Sequence, residues 1–197
     1  MKIILASGSP RRKELLGKLI NKFDIIISDF DEDIIKSQEK NPEELVKKLS
    51  LAKANDIFST LNTTDDFTII AADTIVCIND DILGKPLDKN DAKKMLEKLS
   101  SNTHFVLTGM TVIINKNRII NKDTVCSKST IYFNKLTENE IIEYINTGEP
   151  LDKAGSYAIQ GIGNKFISFS ASFVSESFLK TISLLVKGFN SRQSFLP

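Results

Sequence analysis

The sequence predicts an α/β protein, a mixed sheet with flanking helices, and three observations carry that expectation. Apolar runs of strand length alternate with amphipathic helical runs along most of the chain. Helix-start chemistry recurs where the helical runs begin, as Ser9-Pro10, Asn41-Pro42 and Thr137-Glu138-Asn139-Glu140. The middle of the chain holds long β-rich runs joined at a short polar turn.

In chain order, residues 2–6 form a short apolar strand closed by Ser7, Gly8 and Ser9. Pro10 opens a helix to about Ile20, with Leu15, Leu16, Leu19 and Ile20 on one face. Residues 23–28 read as a second strand. Asn41 caps a helix that begins at Pro42, has acids in its first turn and runs to about Phe58. Residues 67–72 and 74–79 are β-rich and are broken by Asp73. Residues 88–99 are helical, with Ala92, Met95, Leu96 and Leu99 inward. Residues 105–114 and 118–133 read as an antiparallel pair turning around Asn115-Lys116-Asn117. A capping box at Thr137 and Glu140 starts a short helix ending at Gly148. A last helix is expected over residues 176–187, and residues 190–197 read as a loose tail. With no repeat and no linker-like segment, residues 1–189 are expected to form one domain with two lobes and a cleft.

Bulk composition narrows the function. Of 197 residues, 41% are hydrophobic and 26% charged, the balance of a packed globular protein. A net charge of +1 supplies no global field for nucleic acid or a membrane surface, so a bound anion needs a local basic cluster. No run approaches the roughly 20 apolar residues of a membrane span, and no signal peptide is visible, so a cytoplasmic location is expected. Cys77 and Cys126 lie in apolar strand-like runs without metal spacing, and both are expected to be reduced core residues. The sole histidine, His104, sits in a strand and reads as structural.

Several segments could carry chemistry. Ser7 and Ser9 lead into Pro10-Arg11-Arg12-Lys13, where free backbone N–H groups offer an anion site. Arginines in a first helical turn have the wrong sign for the helix dipole, a mismatch that a bound polyanion reverses; the alternative is solvated arginines paired with Glu14. Asp73, between apolar segments, is either a strand-end carboxylate facing a cleft or a buried cap. Lys85 is held between Gly84 and Pro86. Glu32 lies in the acidic run with Asp29, Asp31 and Asp33; it is either a solvated loop acid or, with Asp73, an oxygen ligand for a hard divalent cation. Lys53, on an apolar-flanked helix, reads on its own as a snorkelling surface lysine. Residues 147–161 form a glycine-rich loop carrying Asp152, Lys153 and Gln160, whose amide can read a base edge.

Together these blocks resemble the Maf family. They are Leu5-Ala6-Ser7-Gly8-Ser9-Pro10-Arg11-Arg12, Asp31-Glu32, residues 49–54, Ala72-Asp73-Thr74-Ile75-Val76, Leu83-Gly84-Lys85-Pro86, His104-Phe105-Val106-Leu107-Thr108-Gly109 and residues 147–161. The resemblance implies an inosine-triphosphate-pyrophosphatase-like α/β fold, often dimeric, hydrolysing nucleoside triphosphates between the α and β phosphates with Mg²⁺ or Mn²⁺. It places Asp73 at the proton acceptor and metal ligand, and Glu32, Lys53 and Lys85 among the residues holding metal and phosphates. Arg11, Thr74 and Gln160 fall on positions tied to substrate choice and side with the branch acting on dTTP and UTP. The alternatives are the branch acting on methylated guanosine triphosphate, or a nucleotide-binding regulator of septum formation. Two departures stand out: Ala158 replaces a common glycine, and residues 170–178 lack the family's glycines and proline.

Overall fold

The computed structural model describes residues 1–62 and 64–173, so the expected final helix and the tail lie outside the described residues. The chain divides into two compact units. Among the described residues, the first comprises 1–62, 64–73 and 109–127, and the second 74–108 and 128–173. Three strands pass from one to the other.

Described elements are β1 (Lys2–Leu5), α1 (Pro10–Gly17), β2 (Asp24–Ile25), α2 (Asp33–Gln38), α3 (Pro42–Thr60), β3 (Phe67–Ile78), β4 (Asp81–Leu83), α4 (Lys89–Leu99), β5 (Thr103–Lys116), β6 (Ile119–Phe133), α5 (Glu138–Asn146) and β7 (Ile167–Phe173). Three short 3₁₀ turns, Glu149–Asp152, Ala154–Ser156 and Ile162–Phe166, occupy the segment between α5 and β7. The strands form a seven-stranded mixed sheet in the order β2-β1-β3-β5-β6-β7, with β4 also paired to β3. β1 runs parallel to both β2 and β3, whereas β3–β4 and β6–β7 are antiparallel.

In the first unit, parallel β1 and β3 are apolar on both faces, as strands covered on both sides must be. Ile4, Ala6, Phe67, Ile69 and Ala71 pack with Ala54 and Ile57 of α3 and with Ile113 of β5. Asn41 caps α3 by accepting from the Glu43 and Glu44 amides at 3.0 and 3.1 Å. Gly109 of β5 lies so close to α3 that a Cβ there would fall 2.1 Å from the Val46 carbonyl oxygen. In the second unit, Ala92, Leu96 and Leu99 of α4 pack with Ile141, Tyr144 and Ile145 of α5 and with Phe133, Tyr157 and Phe166. The capping box of α5 is formed in full.

Several expectations are corrected. α1 stops at Gly17 and buries no residue; Leu15 and Leu19 are exposed. The second strand shrinks to Asp24–Ile25. Asp73 does not break the β-rich run, because β3 is continuous through it. The hairpin turns at Asn117-Arg118, whose φ values of 52° and 65° put both residues in the left-handed region that a two-residue turn requires. α5 ends at Asn146, two residues before Gly148. α2, β4 and β7 were not anticipated. α2 is six residues long with no buried position, and β4 has three residues, too few for a period to register. Cys77 is buried and Cys126 half-buried, both as free thiols.

Candidate active site

The site is built around a strand interior that the sequence would ordinarily keep apolar. Asp73 sits inside β3, buried, with Ala72 before it and Thr74 and the apolar Ile75-Val76 after it. A carboxylate in such a place needs a cationic partner to offset lost hydration. Lys53 supplies it. Its Nζ lies 2.5 Å from Asp73 Oδ1 and 2.7 Å from Glu32 Oε1, and its side chain is only 16% exposed. The snorkelling reading of Lys53 is therefore overturned: the helix turns this residue inward, between two carboxylates.

Glu32 occupies the N-cap position of α2 but makes no capping bond with its side chain. Its carboxylate turns to Lys53 and, through Oε2, to Lys36 at 2.6 Å, one helical turn onward. Burial works against the ionised form of Glu32, yet the hydrogen bonds from Lys36 and Lys53 win and hold its carboxyl at about 2. The approach to Glu32 is fixed by Asp56 of α3, which accepts from the Ser28 hydroxyl at 2.7 Å and the Asp29 amide at 3.1 Å. The solvated-loop reading of Glu32 thus gives way to an anchored carboxylate.

The turn after β1 adds the third cation. Ser9 accepts from the Arg12 amide at 3.4 Å, as an N-cap does. The Arg12 guanidinium folds back to donate to Ser7 Oγ at 3.2 Å and to the Ala72 carbonyl at 2.7 Å, the residue before Asp73. Burial pushes Arg12 below its ordinary value, while the carboxylates of Asp73 and Glu32 partly restore it. Arg12 is therefore not a destabilised dipole mismatch awaiting a ligand. Arg11 behaves differently: its half-buried side chain pairs with Glu14 at 2.8 Å, the solvated alternative.

Lys53, Lys36 and Arg12 stand among the carboxylates of Glu32, Asp73 and Asp33, three cations facing three acids. Sequence reasoning missed Lys36 and Asp56. The i,i+4 spacing from Glu32 is the signal that could have found Lys36; Asp56 carried none.

The remaining expected residues belong to the second unit. Thr74 Oγ1 lies 3.0 Å from Thr108 Oγ1. Lys85 is exposed, after a glycine whose carbonyl accepts from the Gly155 amide at 2.9 Å. Asp152 and Lys153 pair with each other. Gln160 is exposed in a turn. His104 is fully buried, with Nε2 at 2.6 Å from the Tyr157 hydroxyl and edge-on contacts to Phe133 and Tyr157, the structural role expected of it. Burial pushes its imidazole down to about 4.

Among the described residues, no group of three or more His, Cys, Asp or Glu side chains is arranged to hold a metal ion. Glu32 and Asp73 do share one small volume, bridged by Lys53. Two carboxylates suit a hard cation whose other ligands are water and substrate phosphates, the way Mg²⁺ is usually bound, rather than a complete protein cage.

A mixed α/β sheet thus holds a carboxylate–lysine–carboxylate bridge beside the turn that carries Ser7, Ser9 and Arg12. The chain belongs to the Maf family: the family model described as Maf-like protein matches residues 2–172. It is similar to proteins named dTTP/UTP pyrophosphatase. One from Clostridium botulinum (strain Alaska E43 / Type E3) is 49% identical over 168 residues, covering 85% of this chain and 86% of the relative. One from Clostridium beijerinckii is 44% identical over 167 residues, 85% and 86% of the two chains. One from Alkaliphilus metalliredigens is 43% identical over 166 residues, 84% and 83% of the two. The first part of the departing segment, up to Phe173, ends strand β7; residues 174–178 lie outside the described residues.

Proposed function

We propose that this chain hydrolyses dTTP and UTP to the monophosphate and pyrophosphate, by attack of water on the α-phosphorus. The observation that carries the reading is the bridge from Lys53 to Asp73 and Glu32, with Arg12 against the adjoining Ala72 carbonyl. The family membership and the names of the relatives point the same way.

In this mechanism Asp73 accepts the proton of the attacking water. Lys53 orients that carboxylate and adds positive charge where the phosphoryl group gains negative charge, the main contribution proteins make to phosphoryl transfer. Arg12, on its Ser7 and Ala72 supports, and Lys36 hold phosphate oxygens. The family resemblance adds Lys85 as a further cation. A divalent cation held by Asp73 and Glu32 would supply charge neutralisation of the phosphates. Thr74, Arg11 and Gln160 select the base by the family resemblance; Asp152 and Lys153 line its loop.

The test is pyrophosphate release over the common nucleoside triphosphates with Mg²⁺ or Mn²⁺. Release from dTTP and UTP in excess of the others is expected; preference for a guanine nucleotide would remove the pyrimidine assignment.

A further inference from the structure

The segment that carries Gln160 is fastened after that residue by one carboxylate and before it by a phenol bonded to the same carboxylate. Glu149, half-buried at the start of the first 3₁₀ turn, accepts from the Ile162 amide through Oε1 at 3.1 Å and from the Gly163 amide through Oε2 at 3.0 Å. The same Oε2 accepts from the Tyr144 hydroxyl at 2.7 Å, and that hydroxyl in turn accepts from the Ala158 amide at 3.1 Å. Gln160 is thus the middle of a turn whose two shoulders, Ala158 and Ile162-Gly163, converge on Glu149 and its phenol partner. Charge-assisted bonds of this kind are roughly twice as strong as neutral ones.

The glycines fit the same clamp. A Cβ on Gly161 would fall 2.2 Å from Glu149 Oε1, and one on Gly163 would fall 2.6 Å from the Tyr144 hydroxyl. The backbone therefore lies directly on the carboxylate and phenol, with no room for a side chain between. Tyr144 is fully buried in the second core, so the clamp has a rigid base. Three of the four bonds end on backbone amides of the turn, at Ala158, Ile162 and Gly163.

We infer that Glu149, with Tyr144, is a positioning residue that sets base selectivity by holding the Gln160 turn. The inference rests on the reading of Gln160 as the base-selecting residue. Glu149 does not itself touch the base. It fixes the backbone on either side of Gln160 before substrate arrives, so binding does not bear the entropic cost of ordering that backbone.

The test is a four-protein cycle: native, Glu149→Gln, Gln160→Ala and the double variant, with kcat and KM for UTP and CTP. Gln keeps the size of Glu149 but turns an amide toward the donors from Ile162 or Gly163, leaving one unpaired. Expected for Glu149→Gln is a rise of about tenfold in KM for UTP, kcat within about twofold, and a flattened UTP/CTP ratio. In the Gln160→Ala background the same substitution should change that ratio no further. Native selectivity in Glu149→Gln would overturn the inference, as would an equal loss of selectivity with and without Gln160. An unchanged ratio in Gln160→Ala alone would instead remove the base-reading role of Gln160, a separate and recognisable failure. Amide exchange supplies a readout without turnover: Ile162 and Gly163 should exchange faster in Glu149→Gln while α5 amides keep native rates. Native exchange at both glycine-side amides would contradict the clamp.

Discussion

Lys53 Nζ stands 2.5 Å from Asp73 Oδ1, joining the middle of helix α3 to the interior of strand β3, with both side chains less than one-fifth exposed. This pair explains how a central strand tolerates a carboxylate. Each partner makes the other admissible, so removing one is worse than removing both. Lys53→Met is expected to lower unfolding free energy by about 2–3 kcal/mol. Combining it with Asp73→Asn should recover part of that loss, a coupling of about 1–3 kcal/mol in a double-mutant cycle by urea denaturation. Strict additivity would show that the two side chains are independent.

The two neighbouring arginines should separate cleanly. Arg12→Ala strips partners from the Ser7 hydroxyl and the Ala72 carbonyl, and is expected to cost about 1–3 kcal/mol of stability in the absence of ligand. Arg11→Ala removes only a surface pair with Glu14 and should stay within about 0.5 kcal/mol. Thermal melts with and without UTP also report binding: the ligand-induced rise in Tm should vanish in Arg12→Ala. An undiminished rise would place the phosphates elsewhere.

Acid should weaken the fold in two windows. His104 is held at about 4 against an ordinary 6.5, so the fold favours its neutral form. Its contribution is complete above pH 6.5 and is lost as pH falls toward 4, by up to about 3 kcal/mol. Glu32 is held at about 2 against 4.5, so the fold favours its ionised form, and that contribution is lost between pH 4.5 and 2. Because the chain has a single histidine, its proton NMR titration reads the first window directly. A midpoint near 6.5 would contradict the buried, neutral imidazole.

Base choice should follow residue 160. A glutamine offers a donor and an acceptor to the uracil or thymine edge, whereas an ionised glutamate offers acceptors only. Gln160→Glu should therefore lower kcat/KM for dTTP and UTP relative to 7-methyl-GTP by roughly tenfold, the cost of a mismatched hydrogen bond. An unaltered ratio of these specificity constants would assign base choice to other residues.

Much of this was legible in the sequence, and the residues show why. Asn41-Pro42 and the Thr137–Glu140 box placed two helices because caps act within four residues of chain. The alternation of elements gave the α/β class. Asp73, Glu32 and Lys53 could be named from the family resemblance, but their bonding could not, because it depends on residues about 20 apart meeting through the fold. Local rules even pointed the wrong way there: a carboxylate amid apolar residues reads as a strand break, and a lysine on a helix reads as solvated. The clamp by Glu149 was likewise hidden, since a glutamate in a glycine-rich loop carries no signal of the amides it will accept.

Whether Asp73 is the base of the reaction is read from the kinetics of Asp73→Asn with UTP. The substitution keeps the size of the side chain and removes the charge needed to take a proton. The expected result is a fall in kcat of about 10²-fold or more with a native circular dichroism spectrum. Near-native turnover in a folded Asp73→Asn protein would mean that the carboxylate only secures Lys53 within the strand, and the mechanism would fail.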